Sequence, residues 1–233
     1  VKHGNVLMPL ARAVPLAKLA MLACTALAIT TYTLSYARPD LEGRWQQVML
    51  NTNILGYNLI PLFLLLLCFG STRFSSFERV RTDPRSELRL NLIWMLVAAL
   101  LTSLLPALAA IIAWAITPQT PSAFLSSSLA PLPLIIAQVF MELTAIGLAA
   151  FLPISAGISW GFVAPPFIIV FALADWVFSA AAPRVLDWLF LFTLPVHTAS
   201  QLIQERVLPF LVLFAMLIAA NAIAHARRDH LKE

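Results

Sequence analysis

The chain has 233 residues, 61% hydrophobic and 11% charged, with 15 Lys and Arg against 11 Asp and Glu and a formal net charge of +4. Its mean hydropathy is +0.87. A soluble domain carries about a quarter charged residues, so an ordinary soluble protein is excluded. Apolar runs of helix length recur, long enough to cross a hydrocarbon core of about 30 Å at about 1.5 Å per residue. They do not alternate, so the expected fold class is an all-α polytopic membrane protein and not a barrel.

In chain order, residues 1–18 are expected to be cytoplasmic or interfacial: in LMPLARAVPLAKLA, 7–20, Arg12 and Lys18 among apolar residues suggest a segment lying along the membrane surface. The first expected span is 19–37. MLAC at 21–24 resembles a lipoprotein cleavage box, but five residues between Lys18 and Cys24 are too few for a signal core, so an uncleaved helix is expected. The second span is 52–70, TNILGYNLIPLFLLLLCFG, and the third is 91–116. Between them lies FERVRTDPRSELRLN, 77–91, with seven charges in fifteen residues. Asp83-Pro84 favours a turn or a fresh helix start, with Pro84 at the first helical position. Further spans are expected at 132–152, 158–178 and 207–226, with a tail at 227–233. Before the last span, WLFLFTLPV is too short to cross. It reads either as a hairpin dipping into the membrane, with Pro195 near its turn, or as a surface helix.

The six spans make one transmembrane domain. With both termini cytoplasmic, eleven of the fifteen basic residues fall on the inner side, and Arg38, Arg44, Arg184 and Arg206 remain outside. That bias fits the positive-inside rule. The net charge therefore reflects topology, and no basic face with interleaved aromatics suggests nucleic acid. Cys24 and Cys68 sit in apolar runs and read as small buried hydrophobes without a disulfide.

No phosphate-binding GxxxxGK[ST] run and no clustered metal-ligand spacing is present. GISWG at 157–161 matches a nucleophile elbow, but that motif needs a strand before it. The same Gly157 and Gly161 fit GxxxG, so helix packing is the expected role. Charges within spans are rare and informative. Glu142 lies about 15 Å into its helix at 1.5 Å per residue, and Gln138 is one turn earlier on the same face. The pair is expected either to line a path or an interface with another chain, or to make a buried hydrogen bond to a neighbour. Asp175, beside Trp176, reads as a headgroup-level acid. Asn53, Asn58 and Asn221 are expected to bond between helices.

Six helices, both ends inside, the charged loop and the oily hairpin together resemble the permease subunits of six-helix ABC exporters. FERVRTDPRSELRLNLIWMLVAALL looks like that family's cytoplasmic loop entering helix three, and FLVLFAMLIAANAIAHARRDHLKE looks like its last helix and basic tail. The resemblance implies that residues 71–90 form a cytoplasmic coupling loop docking on a separate ATPase subunit. There Phe77 would anchor in an apolar cleft while Glu78, Arg79, Arg81, Arg85, Glu87 and Arg89 pair with charges. ATP and Mg would belong to that partner, with no catalytic residue, cofactor or metal in this chain. It further implies a second permease chain, identical or similar, a bacterial cytoplasmic membrane, and a hydrophobic or amphipathic substrate. From the residues alone, the loop also fits a solvated topology signal. An ATP-independent transporter or a structural membrane subunit, and an intramembrane enzyme built on Glu142, are the rival readings.

Overall fold

The protein is seen in a computed structural model that describes residues 15–36, 49–71, 84–116, 131–196 and 198–227. Helix α1 spans Pro15–Tyr36 and α2 spans Thr52–Gly70. The next two are α3, Pro84–Ser103, and α4, Leu105–Ile116. They are followed by α5, Leu132–Ser155, α6, Trp160–Ala181, and the short α7, Pro183–Leu189. After a 3-10 turn at Leu191–Thr193, α8 runs over Ala199–Arg227. No strand occurs among the described residues. Among the described residues, five segments are long and apolar enough to cross a membrane: Thr52–Gly70, Ser86–Ala113, Leu132–Ser155, Trp160–Ala181 and Ala199–Arg227. The chain is thus an all-helical, multi-pass membrane protein. In α1 the apolar stretch, Met21–Ser35, is shorter than these.

Helix boundaries follow local chemistry. Asn51 caps α2, its Oδ1 accepting from the N–H groups of Asn53 at 3.0 Å and Ile54 at 3.3 Å. A helix start leaves such donors without intrahelical partners, and an Asn side chain supplies one. Pro84 opens α3, where its missing N–H has no intrahelical role. The helix therefore starts seven residues before the span expected at 91, and it takes in the second half of the charged segment. Pro106 cannot donate to the carbonyl four residues back, and the helix is interrupted at Leu104 just before it. Gly157 turns the chain from α5 to α6 with φ of 104°, a left-handed conformation that side chains disfavour.

Helix α5 is the hub. It packs against α8, α3, α6, α2 and the 3-10 turn, while α1 lies mainly on α4. The most apolar window of α5 is 67% buried, against 22% for α6 and 11% for α8, so the last two are peripheral. Apolar helices gain little from burial against one another in lipid, and close packing must hold them together. Gly56 shows how: a Cβ there would run into the Phe171 carbonyl of α6. It lies in a wide, π-helical turn of α2, Leu55–Leu59. A second such turn, Leu202–Val207, lies near the start of α8. Gly147 of α5 does the same against Phe63 and Met95, 2.9 and 3.0 Å from where its Cβ would sit.

The expected GxxxG pair does not form inside this chain. Gly157 is in the turn and not on a helix. Gly161 is exposed, and a Cβ there would meet only the Ser159 Oγ, at 3.9 Å. Helix periodicity is needed to put the two glycines on one face, and the turn removes it.

Candidate functional site

Gln138 and Glu142 lie one helical turn apart on α5, at 0% and 3% exposure. Facing them is the turn after α7. Phe190, at φ −118° and ψ 39°, ends that helix, and the single 3-10 turn that follows leaves backbone groups unpaired. Gln138 and Glu142 bind these groups. Gln138 Nε2 donates to the carbonyls of Phe192 at 2.9 Å and Leu194 at 2.7 Å. Glu142 Oε2 accepts from the Phe192 N–H at 3.0 Å. Within the turn, the Thr193 hydroxyl donates to the Phe190 carbonyl at 3.0 Å. Gln138 Oε1 is buried without a partner among the described residues.

Aromatic packing seats the same turn. Phe190 meets Phe171 of α6 edge-on at 5.7 Å, and Phe192 meets Phe210 of α8 at 5.5 Å. The turn is thus inserted between α5, α6 and α8. Glu142 lies about 15 Å along α5 from Leu132, so the turn reaches the middle of that helix. Of the two expectations for Glu142, the geometry supplies the buried hydrogen bond, and its partner is backbone.

A second polar link joins α5 to α8. Asn221, fully buried, donates through Nδ2 to the carbonyls of Leu148 at 3.0 Å and Leu217 at 2.8 Å. Its Oδ1 accepts from the Ser155 hydroxyl at 2.8 Å. This is the helix-to-helix amide bond expected from the sequence.

Asp175 is more than a headgroup-level acid. Its carboxylate accepts from Thr52 Oγ1 at 2.8 Å and from Asn53 Nδ2 at 2.7 Å. It therefore ties the end of α6 to the first turn of α2, whose helix dipole favours a negative charge nearby. Trp176 beside it is 78% exposed, as an interfacial tryptophan would be.

Of the charged-loop residues, Phe77, Glu78, Arg79 and Arg81 lie outside the described residues. Arg85 is in the first turn of α3, with its side chain also outside the described part. Arg89 is exposed and Glu87 is buried. Gln138, Glu142 and the turn come together; Asp175 stands apart with α2. Sequence reasoning missed Phe190, Phe192 and Leu194 as partners of the polar stripe. The signal was a run too short to span, next to a helix carrying an unexplained acid.

Chemically, this arrangement clamps backbone. No three His, Cys, Asp or Glu side chains gather as metal ligands among the described residues. Comparison with family models, curated proteins and solved structures finds no match to this chain.

Proposed function

We propose that the chain is the membrane-spanning permease subunit of an ATP-driven ABC exporter in a bacterial cytoplasmic membrane. In this reading α1 supplies a sixth span, both termini are cytoplasmic, and the turn after α7 is a re-entrant hairpin entering from outside. One observation carries the reading: seven charges crowd into residues 77–91, between two long apolar helices. Such a segment leaves the membrane and offers ion-pairing groups to a partner. That partner is a separate ATPase subunit, which binds ATP and Mg. A second permease chain completes the path for a hydrophobic or amphipathic substrate.

The packing supports a route for coupling. Because α3 begins at Pro84, Arg85 and Arg89 ride on the same helix as Met95, which packs against α5 at Gly147. A push on the loop would pass along α3 to α5, the helix that holds the hairpin turn. Two-state shifts of packed helices are the usual output of such motion.

The second reading is an ATP-independent small transporter or a structural subunit of a larger membrane complex. One observation favours it: the hydrogen bonds described for Gln138 and Glu142 go to the chain's own hairpin. The deciding experiment is purification of the tagged chain from its native membrane. An ATPase subunit with a phosphate-binding loop is expected to co-purify, salt-sensitively, and the pair Arg81→Glu and Arg85→Glu is expected to weaken that complex while the membrane fold persists. A complex unchanged by the double reversal, or ATP hydrolysis by the chain alone, would sink the exporter reading.

A further inference from the structure

We propose that Pro183–Val196 is a docked strap, keyed to α5 by Gln138 and Glu142, that leaves its seat as a unit while the rest of the bundle stays folded. Four observations meet here. First, the side-chain hydrogen bonds that reach residues 190–194 from α5 come from one helical turn, at Gln138 and Glu142.

Second, the seat is specific. Phe190 and Phe192 enter facing sides of the cleft, against Phe171 and Phe210, so the turn docks in one register. Third, the outer part of the strap is lightly held: Arg184, Val185, Asp187 and Trp188 are exposed, Trp188 by 76%, and α7 packs mainly on α6. Fourth, regular helix is interrupted on both sides of the strap. On one side Ala182, at φ −153° and ψ 66°, breaks α6 from α7. On the other side, six residues beyond Val196, α8 carries the π-helical turn Leu202–Val207, an irregularity of the kind that recurs at functional sites in helices.

When seated, the strap has the Phe192 N–H and the Phe192 and Leu194 carbonyls satisfied by α5, as the interior of a membrane protein requires. When it lifts, Gln138 and Glu142 are uncovered together as a polar stripe midway along the hub helix. The proposal does not rest on the exporter reading, and its test uses no ATP and no partner subunit.

The test is cysteine labelling of the full chain in lipid nanodiscs, with Cys24→Ser and Cys68→Ser as background. One protein carries Thr193→Cys in the strap, and a reference carries Ala150→Cys, fully buried on α5. A small water-soluble maleimide is the probe. With the clamp intact, Thr193→Cys is expected to label faster than Ala150→Cys, at a rate insensitive to mild denaturant, which is the mark of local opening. Adding Gln138→Ala with Glu142→Ala is expected to raise labelling at 193 by about ten-fold or more, since several buried hydrogen bonds are lost, with 193 still faster than 150 in the same variant. Glu142→Gln, which keeps an acceptor for the Phe192 N–H, is expected to stay near the intact rate. Labelling at 193 that tracks 150 in the intact-clamp protein overturns the proposal. So does a double variant in which labelling at 193 is no faster than with the clamp intact. If the double variant does not fold, the comparison of 193 with 150 in the intact-clamp protein decides alone.

Discussion

The two buried polar links of α5 differ in what they hold. Toward its first half, Gln138 and Glu142 grip the backbone of a non-helical turn. Near its far end, Asn221 joins α5 to α8, two helices whose carbonyls already lie in helical ladders. In the first link the side chains satisfy groups that have no substitute; in the second they add bonds to groups already served. The lesson is that the cost of losing a buried polar side chain depends on what it leaves behind. An orphaned buried N–H carries its full desolvation penalty, whereas a lost bond between complete helices in a membrane costs well under that.

The largest expected effect is therefore Glu142→Ala. It strands the Phe192 N–H and opens a small void at a site that is 3% exposed. A loss of about 3 kcal/mol is expected, measured by denaturant or thermal unfolding in detergent, with Glu142→Gln recovering most of it. Should Glu142→Ala prove no more costly than a change at Asn221, the distinction between the two links collapses.

Asn221→Ala comes next, at about 1 kcal/mol, in the range of single interhelical hydrogen bonds in membranes. It removes two donors and one acceptor, yet the Leu148 and Leu217 carbonyls keep their helical surroundings. A companion Ser155→Ala should be non-additive with it, because the Ser155 hydroxyl and Asn221 Oδ1 share one hydrogen bond that either change removes. A double-mutant cycle measures that coupling, and full additivity would mean that the bond contributes nothing.

The smallest effect is expected at Asp175→Asn, about 0.5 kcal/mol or less. The site is only half-buried, an amide oxygen still accepts one of the two bonds from Thr52 and Asn53, and water replaces the other. The same unfolding measurement applies. A loss as large as that of Glu142→Ala would mean that this contact is as inaccessible to water as the strap clamp.

By itself the sequence determined the class of the protein and the rough position of its long helices. Transfer of apolar residues into lipid is a sum over neighbours along the chain, so hydropathy reads it directly: the span expected at 52–70 matches Thr52–Gly70, and the one at 132–152 begins at Leu132 as α5 does. The rule that a charge in lipid needs a partner was also enough to single out Glu142 and, beside it, Gln138. Boundaries set by capping were less legible. Pro84 did signal a helix start, but the charges after it masked the continuity of α3, because two solvated-looking turns and a loop have the same composition.

Only the tertiary structure decided the partners. Glu142 bonds a backbone group 50 residues away, and Asp175 bonds side chains 122 and 123 residues away. Which helix lies beside which is fixed by close packing summed over the whole bundle, and no local pattern contains it. The glycines make the point most sharply. GxxxG at 157–161 had the spacing for a packing seam, yet a turn at Gly157 broke its periodicity, while the lone Gly56, in no motif, proved to be where α2 and α6 touch backbone to backbone.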